Sequence, residues 1–321
     1  MKQAALKRIH GLRRYDNSYH SKISNDYEYH TSYNNLLIKY SKKINLISIG
    51  FYKMDNRPIG IFDSGIGGLT VMREVMEQLP YENIIYLGDT ARIPYGSKSE
   101  QTIKKFSLQC ATFLKNKDVK TIVIACNTAS SNALDLLTEE FDIPVIGVID
   151  PGARSASKAT KTGKIGVIGT TATINSYAYQ KKIMEYMNNA EVIGIPCPLF
   201  VPIVEEGWEY SQVAELTAEK YLTELIEHDV DALVLGCTHY PILRHTIKKV
   251  LGPQVTLVNP AFETAKDLKN LLIEKDILNE NYDKPRYEYY ATDAPERFRR
   301  IGGNFLKKEI DNLYEIAIDN L

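Results

Sequence analysis

The segment VDALVLGCTHYPIL (residues 230–243) repeats the plan of an earlier segment, TIVIACNTAS (residues 121–130). In each segment, apolar residues that are typical of a buried strand precede one small residue, a cysteine and a polar stretch that contains threonine. The two cysteines, Cys126 and Cys237, lie about one small domain apart along the chain. The repeat therefore predicts two similar domains, each with a cysteine at the carboxyl end of a strand and ahead of a helix.

Short, nearly continuous apolar strands alternate with helical segments from residue 58 onward. Strands of this kind are required by parallel sheets whose two faces are both covered. We therefore expect an α/β fold with two pseudo-symmetric, doubly wound domains whose sheets are mainly parallel. The predicted strands occupy residues 58–63, 83–89, 119–127, 143–150, 163–170, 190–196, 230–237 and 254–259.

The expected first domain comprises residues 54–150 and 260–321, and the expected second domain comprises residues 151–259. Ligands of open α/β sheets bind at the carboxyl ends of the strands. Two such domains can face each other across one cleft. We therefore expect the active site in that cleft, with the two thiols on its opposite sides.

Residues 1–53 differ from the rest of the chain, because they contain ten Lys and Arg against three acidic residues and have no sustained helical or strand period. We interpret them as a disordered extension, or as sequence that precedes a natural translation start at Met54. A basic targeting segment is the alternative, since such segments are poor in acidic residues, but a clear amphipathic face is lacking.

The composition, with 44% hydrophobic and 25% charged residues, is typical of a soluble globular protein. The net charge of -1 gives no electrostatic reason to expect a nucleic acid or a membrane as partner. No apolar run approaches the roughly 20 residues of a membrane span. The 4 cysteines lack the C-x-x-C spacing of zinc sites and suit the reduced thiols of a cytoplasmic protein.

Two facing thiols can invert a stereocentre without any cofactor. A thiolate on one side takes a proton from a carbon acid, while a thiol on the other side donates one. A helix start beside each sulfur would favour the thiolate. Asp63, at the end of the first strand, and His239, shortly after Cys237, are placed to orient or buffer one thiol each.

Other roles for cysteine are also open. A single cysteine at a strand end is more often a small buried hydrophobic residue than a reactive group. We assign that packing role to Cys110, on the apolar face of a helix, and to Cys197, which no helix start follows. A metal site built from the two matched cysteines with Asp63 and His239 is a further alternative, but it lacks a recognised ligand spacing.

The glycine-rich segment DSGIGG (residues 63–68) lacks the Lys-Ser/Thr pair of a phosphate-binding P-loop. Its backbone N–H groups and the Ser64 hydroxyl would suit a carboxylate, and a tight strand-to-helix turn explains the glycines equally well. Further on, SKSE (residues 97–100) has the Ser-x-x-Glu spacing of a helix capping box.

Six ordered segments of the chain resemble the glutamate racemases, the cofactor-independent bacterial enzymes that supply D-glutamate for peptidoglycan. The segments are PIGIFDSGIGGLTV (58–71), GDTARIPYG (88–96), IACNTASS (124–131), GVIGTTATINS (166–176), CPLFVPIVEEG (197–207) and LGCTHYPIL (235–243). The resemblance implies two α/β domains with the active site between them. It also implies a cytoplasmic homodimer that acts on glutamate and needs no cofactor and no metal.

The resemblance further implies that Cys126 and Cys237 are the two catalytic acid/bases, the first acting on D-glutamate and the second on L-glutamate. It implies that Asp63, Glu205 and His239 are the assisting polar groups. Contacts with the substrate are implied for Asp63, Ser64, Tyr95, Gly96, Asn127, Thr128, Thr238 and His239.

Two alternatives stand beside this function. An aspartate racemase or another two-cysteine isomerase would share the chemistry, and a panel of substrates would distinguish it. A non-catalytic module that binds an amino acid belongs to a different class. Both cysteines and their polar neighbours are present, which argues against such a module, and an optical-rotation assay with L-glutamate would identify it.

The extension at residues 1–53 should be dispensable, because both the charge and the residue pattern change abruptly at Met54. We expect a chain that begins at Met54 to fold and to racemise glutamate as the full chain does, which circular dichroism and optical rotation can measure. Loss of solubility or of activity in the shortened chain would contradict this expectation.

Overall fold

The computed structural model describes residues 55–281 and 283–321. The basic extension and the proposed start at Met54 lie outside the described residues. The strands are β1 (Ile59–Asp63), β2 (Ile84–Gly88), β3 (Thr121–Ile124), β4 (Val145–Gly147), β5 (Lys164–Gly169), β6 (Glu191–Pro196), β7 (Ala232–Gly236), β8 (Thr256–Val258), β9 (Tyr287–Ala291) and β10 (Leu313–Glu315).

Helices connect these strands. The α-helices are α1 (Leu69–Gln78), α2 (Glu100–Asn116), α3 (Asn127–Glu140), α4 (Ile149–Ala159), α5 (Thr171–Asn175), α6 (Ala178–Tyr186), α7 (Phe200–Glu205), α8 (Gln212–Glu227), α9 (Arg244–Leu251), α10 (Pro260–Glu274) and α11 (Pro295–Leu306). Short 3-10 helices occupy Thr90–Arg92, Tyr95–Ser97, Tyr240–Leu243 and Ile318–Asn320.

The strands form two sheets, and every strand pairing among the described residues is parallel. The first sheet has the order β10-β9-β2-β1-β3-β4, and the second has the order β6-β5-β7-β8. The order β2-β1-β3-β4 in the first sheet is therefore repeated strand for strand in the second. This repeat confirms the predicted α/β fold with two pseudo-symmetric parallel sheets.

The first sheet draws on residues 59–147 and 287–315, and the second draws on residues 164–258. We call the chain around each sheet the first half and the second half of the molecule. Strands β9 and β10 were not predicted from the sequence, because YEYYA and LYE lack the continuous apolar character of the other strands. The domain boundaries expected after residues 150 and 259 stay a prediction.

Helix α2 shows how the local sequence determines the buried face and the start of a helix. Its apolar face is buried as predicted and includes Ile103, Cys110 and Leu114. The predicted capping box was wrong, because Ser97 belongs to a 3-10 helix and the N-cap is Ser99. The Ser99 hydroxyl accepts a hydrogen bond from the backbone N–H of Thr102 at 3.3 Å, which satisfies one of the free N–H groups of the first helical turn.

The hydrophobic core is divided by the first sheet. One face of this sheet packs against α2 and α3 and forms its own cluster, to which Phe62, Leu87 and Ile124 contribute. The other face contributes to a larger cluster that continues through α1, α4 and α10 into the second half. Apolar packing thus joins the two halves away from their polar cleft.

A buried ion pair lies at the amino end of β3, opposite the end that carries Cys126. Lys120 Nζ is 2.6 Å from Glu82 Oε2, and both side chains are almost fully buried. The same Nζ donates to the carbonyls of Asp55, at 2.9 Å, and Ile277, at 2.7 Å. Lys120 therefore links the start of the described chain and the Ile277 loop to the amino end of β3.

Replacing Lys120 with methionine should lower the free energy of unfolding by about 3–5 kcal/mol, because Glu82 would remain buried without its partner. Urea unfolding would measure this as a lower midpoint. Lys104→Met is a suitable control, since Lys104 pairs with Glu100 at the surface, and it should change stability little. Equal midpoints for the two variants would contradict a stabilising role for the buried pair.

Candidate active site

A cavity of about 320 Å³ lies between the carboxyl ends of the two sheets. Its walls come from the segments that follow β1, β2 and β3 in the first half and β5, β6 and β7 in the second half. The lining residues that the sequence had predicted are Ser64, Tyr95, Gly96, Cys126, Asn127, Thr128, Glu205, Cys237, Thr238 and His239. Of the predicted site residues, Asp63 alone does not line this cavity.

On the first side of the cavity, Cys126 is the N-cap of helix α3. Its sulfur accepts a hydrogen bond from the backbone N–H of Ala129 at 3.5 Å and, as a thiol, donates to Ser64 Oγ at 3.5 Å. The amide oxygen of Asn127 accepts a hydrogen bond from the hydroxyl of Tyr179 in the second half, at 2.7 Å. The thiol is thereby fixed at the start of a helix, as the sequence predicts.

On the second side, Cys237 follows β7 but does not directly precede an α-helix. A turn and the 3-10 helix Tyr240–Leu243 come first, and α9 begins only at Arg244. The expectation of a helix start beside each sulfur is therefore confirmed for Cys126 and wrong for Cys237. What lies beside the Cys237 sulfur is the ring of His239, whose Nδ1 is 3.9 Å away.

His239 is held between two polar groups. Its Nε2 is 3.0 Å from Glu205 Oε1, while its Nδ1 faces Cys237 and lies 3.5 Å from Thr238 Oγ1. Phe305 packs edge-on against the ring at 5.5 Å between centroids. The imidazole therefore connects the Cys237 sulfur to a carboxylate at the end of α7.

Asp63 lies behind the cavity wall, where it is 1% exposed. One carboxylate oxygen accepts from the backbone N–H of Gly65 at 3.0 Å, and the other oxygen, Oδ1, is buried without a hydrogen-bond partner. Burial raises the pKa of Asp63, although the charge of His239 and nearby backbone N–H groups oppose this shift. Asp63 is therefore linked electrostatically to the second side of the cavity as well as to Cys126.

Tyr95 lines the cavity but turns its hydroxyl away from it. The phenol donates to Asp89 Oδ2 at 2.5 Å, and Arg92 Nε donates to the same oxygen at 2.7 Å. Both side chains also approach the Cys110 sulfur at 3.9 Å. This cluster anchors the loop that carries Gly96, and it engages the Tyr95 hydroxyl with Asp89.

The two halves meet closely at two glycines. A Cβ atom on Gly67 would lie 2.2 Å from Thr238 Oγ1 and 2.5 Å from His239 Cε1. A Cβ atom on Gly96 would lie 2.5 Å from Thr170 Cβ. Neither position has room for a side chain, and the two contacts bring the halves together around the cavity.

Known proteins are similar to this chain in sequence over most of its length. Residues 59–267 match the family described as Asp/Glu/Hydantoin racemase. A glutamate racemase from Geobacter metallireducens is 47% identical over 82% of this chain and 97% of its own. A glutamate racemase from Sulfurihydrogenibium sp. is 53% identical over 76% of this chain and 92% of its own.

A solved structure also supports membership of this family. The crystal structure of glutamate racemase from Francisella tularensis in complex with D-glutamate has a TM-score of 0.79 and 46% identity, and the match covers 84% of this chain and 100% of that one. This chain belongs to the Asp/Glu/Hydantoin racemase family. The resemblance seen in the sequence is thereby confirmed.

Within this racemase, the two cysteines have different electrostatic surroundings. Burial, together with the nearby charge of Asp63, raises the pKa of the Cys126 thiol to about 12, even though Ala129 and Ser64 offer hydrogen bonds that favour the thiolate. The helix start does favour the thiolate, as expected from the sequence, but the loss of hydration on burial outweighs it. Cys126 therefore holds its proton at neutral pH.

His239 behaves in the opposite way. Burial alone would lower the pKa of its imidazole, but the hydrogen bonds and charges of Cys237 and Glu205 raise it to about 10. The ring is therefore an imidazolium at neutral pH. Its positive charge lies beside the sulfur of Cys237, where negative charge develops when that thiol loses its proton.

The sequence analysis of the racemase site missed several cavity residues, of which Thr170 is the most informative. Its hydroxyl lies 2.8 Å from that of Thr128 across the cleft and 3.0 Å from that of Thr173. Thr170 follows β5, the strand equivalent to β1 in the repeated order. The sequence could have indicated Thr170, because GVIGTTATINS contains the strand end that corresponds in the second half to the strand end at DSGIGG in the first.

The described residues hold neither a candidate metal site nor a candidate membrane-spanning helix. Residues 55–281 and 283–321 contain no group of three or more His, Cys, Asp and Glu that could hold a metal ion, so the alternative metal site does not assemble there. In the same part of the chain, no helix combines the length and the apolar character that crossing a bilayer requires.

Replacing Gly67 with alanine should lower kcat/KM by at least about a hundredfold, because the added methyl group would push His239 and Thr238 away from their positions. Steady-state racemisation and thermal unfolding would be measured together. The matched control is Gly303→Ala, where the nearest atom would be 3.4 Å from the new methyl group, and it should retain activity. Full activity of folded Gly67→Ala would show that this close approach is not needed for turnover.

Proposed function

We propose that this chain is a glutamate racemase that interconverts L- and D-glutamate with Cys126 and Cys237 as its two acid/bases. The observation that carries the proposal is one small cavity lined by both thiols, one from the carboxyl end of each pseudo-symmetric sheet. Identity of 44–53% to glutamate racemases over most of the chain supports the substrate.

The chemistry of the cavity wall suits a small amino acid. Its volume of about 320 Å³ lies at the low end of the range typical of small-molecule sites, about 300–1,000 Å³. The polar groups on the wall include hydroxyls and an amide, from Ser64, Asn127, Thr128, Thr170, Thr171 and Thr238. Such groups and backbone N–H groups can hold carboxylates and an ammonium in fixed positions, so the Francisella relative's ligand, D-glutamate, is a suitable substrate here.

In the direction from L- to D-glutamate, the Cys237 thiolate takes the α-proton from one face of the carbon. The adjacent imidazolium of His239 stabilises the negative charge of that sulfur and is itself stabilised by Glu205. Cys126, whose raised pKa keeps it a thiol, delivers a proton to the opposite face. In the reverse direction the two sulfurs exchange roles, which requires Cys126 to lose its proton once substrate fills the cavity.

The biological setting follows from the activity. We infer that the enzyme works in the bacterial cytoplasm and supplies D-glutamate for peptidoglycan, with glutamate as its small-molecule partner and without a cofactor. We also infer a homodimer. The alternative with the same chemistry, an aspartate racemase or another two-cysteine isomerase, is disfavoured by the relatives and is tested by including L-aspartate in the assay.

Isotope incorporation tests the two-base mechanism directly. In D2O the thiol of Cys126 carries solvent deuterium, so newly formed D-glutamate should contain α-deuterium from the first turnovers, while unreacted L-glutamate stays protiated. Mass spectrometry of the separated enantiomers measures both. Substantial α-hydrogen in early D-glutamate would reject the mechanism, because it would mean that one group removed and returned the same proton.

The matched cysteine variants complete this test. Cys126→Ala and Cys237→Ala should both lose racemisation, since inversion needs an acid and a base on opposite faces. Cys110→Ala and Cys197→Ala should stay within about tenfold of the parent turnover, equivalent to about 1.4 kcal/mol of barrier, because both lie in hydrophobic clusters. A loss of several orders of magnitude in either control would mean that the wrong pair was assigned.

A further inference from the structure

Arg297 is outside the cavity wall, yet a chain of contacts joins it to the Cys237 sulfur. Its Nη2 donates to Glu205 Oε2 at 2.8 Å. The other oxygen of Glu205 is 3.0 Å from His239 Nε2, and Nδ1 of the same ring faces the sulfur at 3.9 Å. The two oxygens of one carboxylate thus have separate partners, one of which is the imidazolium of the site.

The contact between Arg297 and Glu205 crosses the cleft. Arg297 lies on α11, which packs against α1 and runs between β9 and β10 of the first sheet. Glu205 ends α7, and His239 follows β7, so both belong to the second half. Phe305, from the same helix as Arg297, also meets the His239 ring. Helix α11 therefore reaches the second half at two points that converge on one imidazole.

Glu205 has an alternative position for its carboxylate. It lines the active-site cavity and also an adjacent, wider cavity of about 1090 Å³. The wall of the adjacent cavity carries several cationic side chains, among them Arg73, Arg244, Arg300 and Lys307. A glutamate side chain released from Arg297 can turn toward these cationic side chains, which would remove it from His239.

We propose that Arg297 is a positioning residue, which holds Glu205 against His239 and so keeps the Nδ1 of His239 directed at Cys237. The proposal rests on the proposed function, because it assigns Cys237 as an acid/base. Arg297 acts through Glu205 and touches no reacting atom. Its contact requires α11 and α7 to be close, so the arrangement at Cys237 depends on both halves of the chain.

A positioning role and a purely electrostatic role predict opposite shifts in the titration of His239. The charged and titratable groups that act on its ring are Cys237, Glu205 on α7 and Asp63 at the end of β1, with Arg297 on α11 behind Glu205. Removal of a positive charge alone would favour the imidazolium. Loss of the Glu205 contact would disfavour it, since that contact raises the pKa of His239.

NMR titration of ring-labelled histidines therefore tests the proposal without any activity assay. The His239 signal, assigned with a His239→Gln variant, should titrate near pH 10 in the parent protein. In Arg297→Gln the midpoint should fall by at least about 1 pH unit, and Arg297→Lys should restore part of the fall. Arg300→Gln, on the same helix and without an ion pair among the described residues, is the matched control and should leave it unchanged. An unchanged or higher midpoint in Arg297→Gln would overturn the proposal.

Kinetics provide the second readout. Arg297→Gln should lower kcat by about twofold to fivefold with a smaller change in KM, the size expected when one partly exposed ion pair is lost. In a Glu205→Gln background the same substitution should have no further effect, because Arg297 acts only through Glu205. Additive losses would overturn the proposal. If the parent protein did not racemise glutamate, the proposed function would fail, while the titration would still decide the role of Arg297.

Discussion

The close approach of the two halves of the chain is the constraint on which the site depends. At Gly67 the loop after β1 meets Thr238 and His239 with no space for a side chain, and at Gly96 the loop after β2 meets Thr170 in the same way. Each sheet by itself offers only a shallow row of strand ends. The cavity exists because these two rows are brought face to face, and a methyl group at either glycine would separate them. Water is limited for the same reason, so that Cys126 and Cys237 are only 5% and 7% exposed.

This confinement affects the two sulfurs differently, although their strands are equivalent. On the first side, burial and the carboxylate of Asp63 favour a protonated thiol at Cys126. On the second side, the group beside Cys237 is an imidazolium that Glu205 and Cys237 stabilise. The repeat in strand order therefore does not extend to the charges. A racemase must bind mirror-image substrates, yet its own residues are not mirror images, so the two sides of its cavity reach the same chemistry by different electrostatic means.

Much of this molecule could be predicted from local sequence. The apolar strands, the repeated cysteine segments and the cleft between two sheets follow from residue types and their spacing, because buried parallel strands and strand-end loops have strong local patterns. The capping box at Ser97 was a local error, but most of the features that the sequence did not reveal depend on long-range partners. Strand β9 depends on the edge of β2, and β10 depends on the edge of β9, rather than on their own composition. Tyr95 turns its hydroxyl toward Asp89 and Cys110, and Asp63 lies behind the wall, because of neighbours that the spacing of residues does not reveal. No sequence motif marks Arg297, and only its contact with Glu205 reveals its role.

The strand order also has a consequence for synthesis of the protein. The four strands of the second sheet are consecutive, from residue 164 to residue 258, so all of them are available once that stretch has left the ribosome. In the first sheet, β2 must wait for β9 at residues 287–291, because these two strands pair directly. Until then β2 is an open edge, with backbone N–H and C=O groups that could pair with another chain. The half that begins first is therefore the last to be completed, and the newly made chain is most exposed to misassociation at the edge of β2.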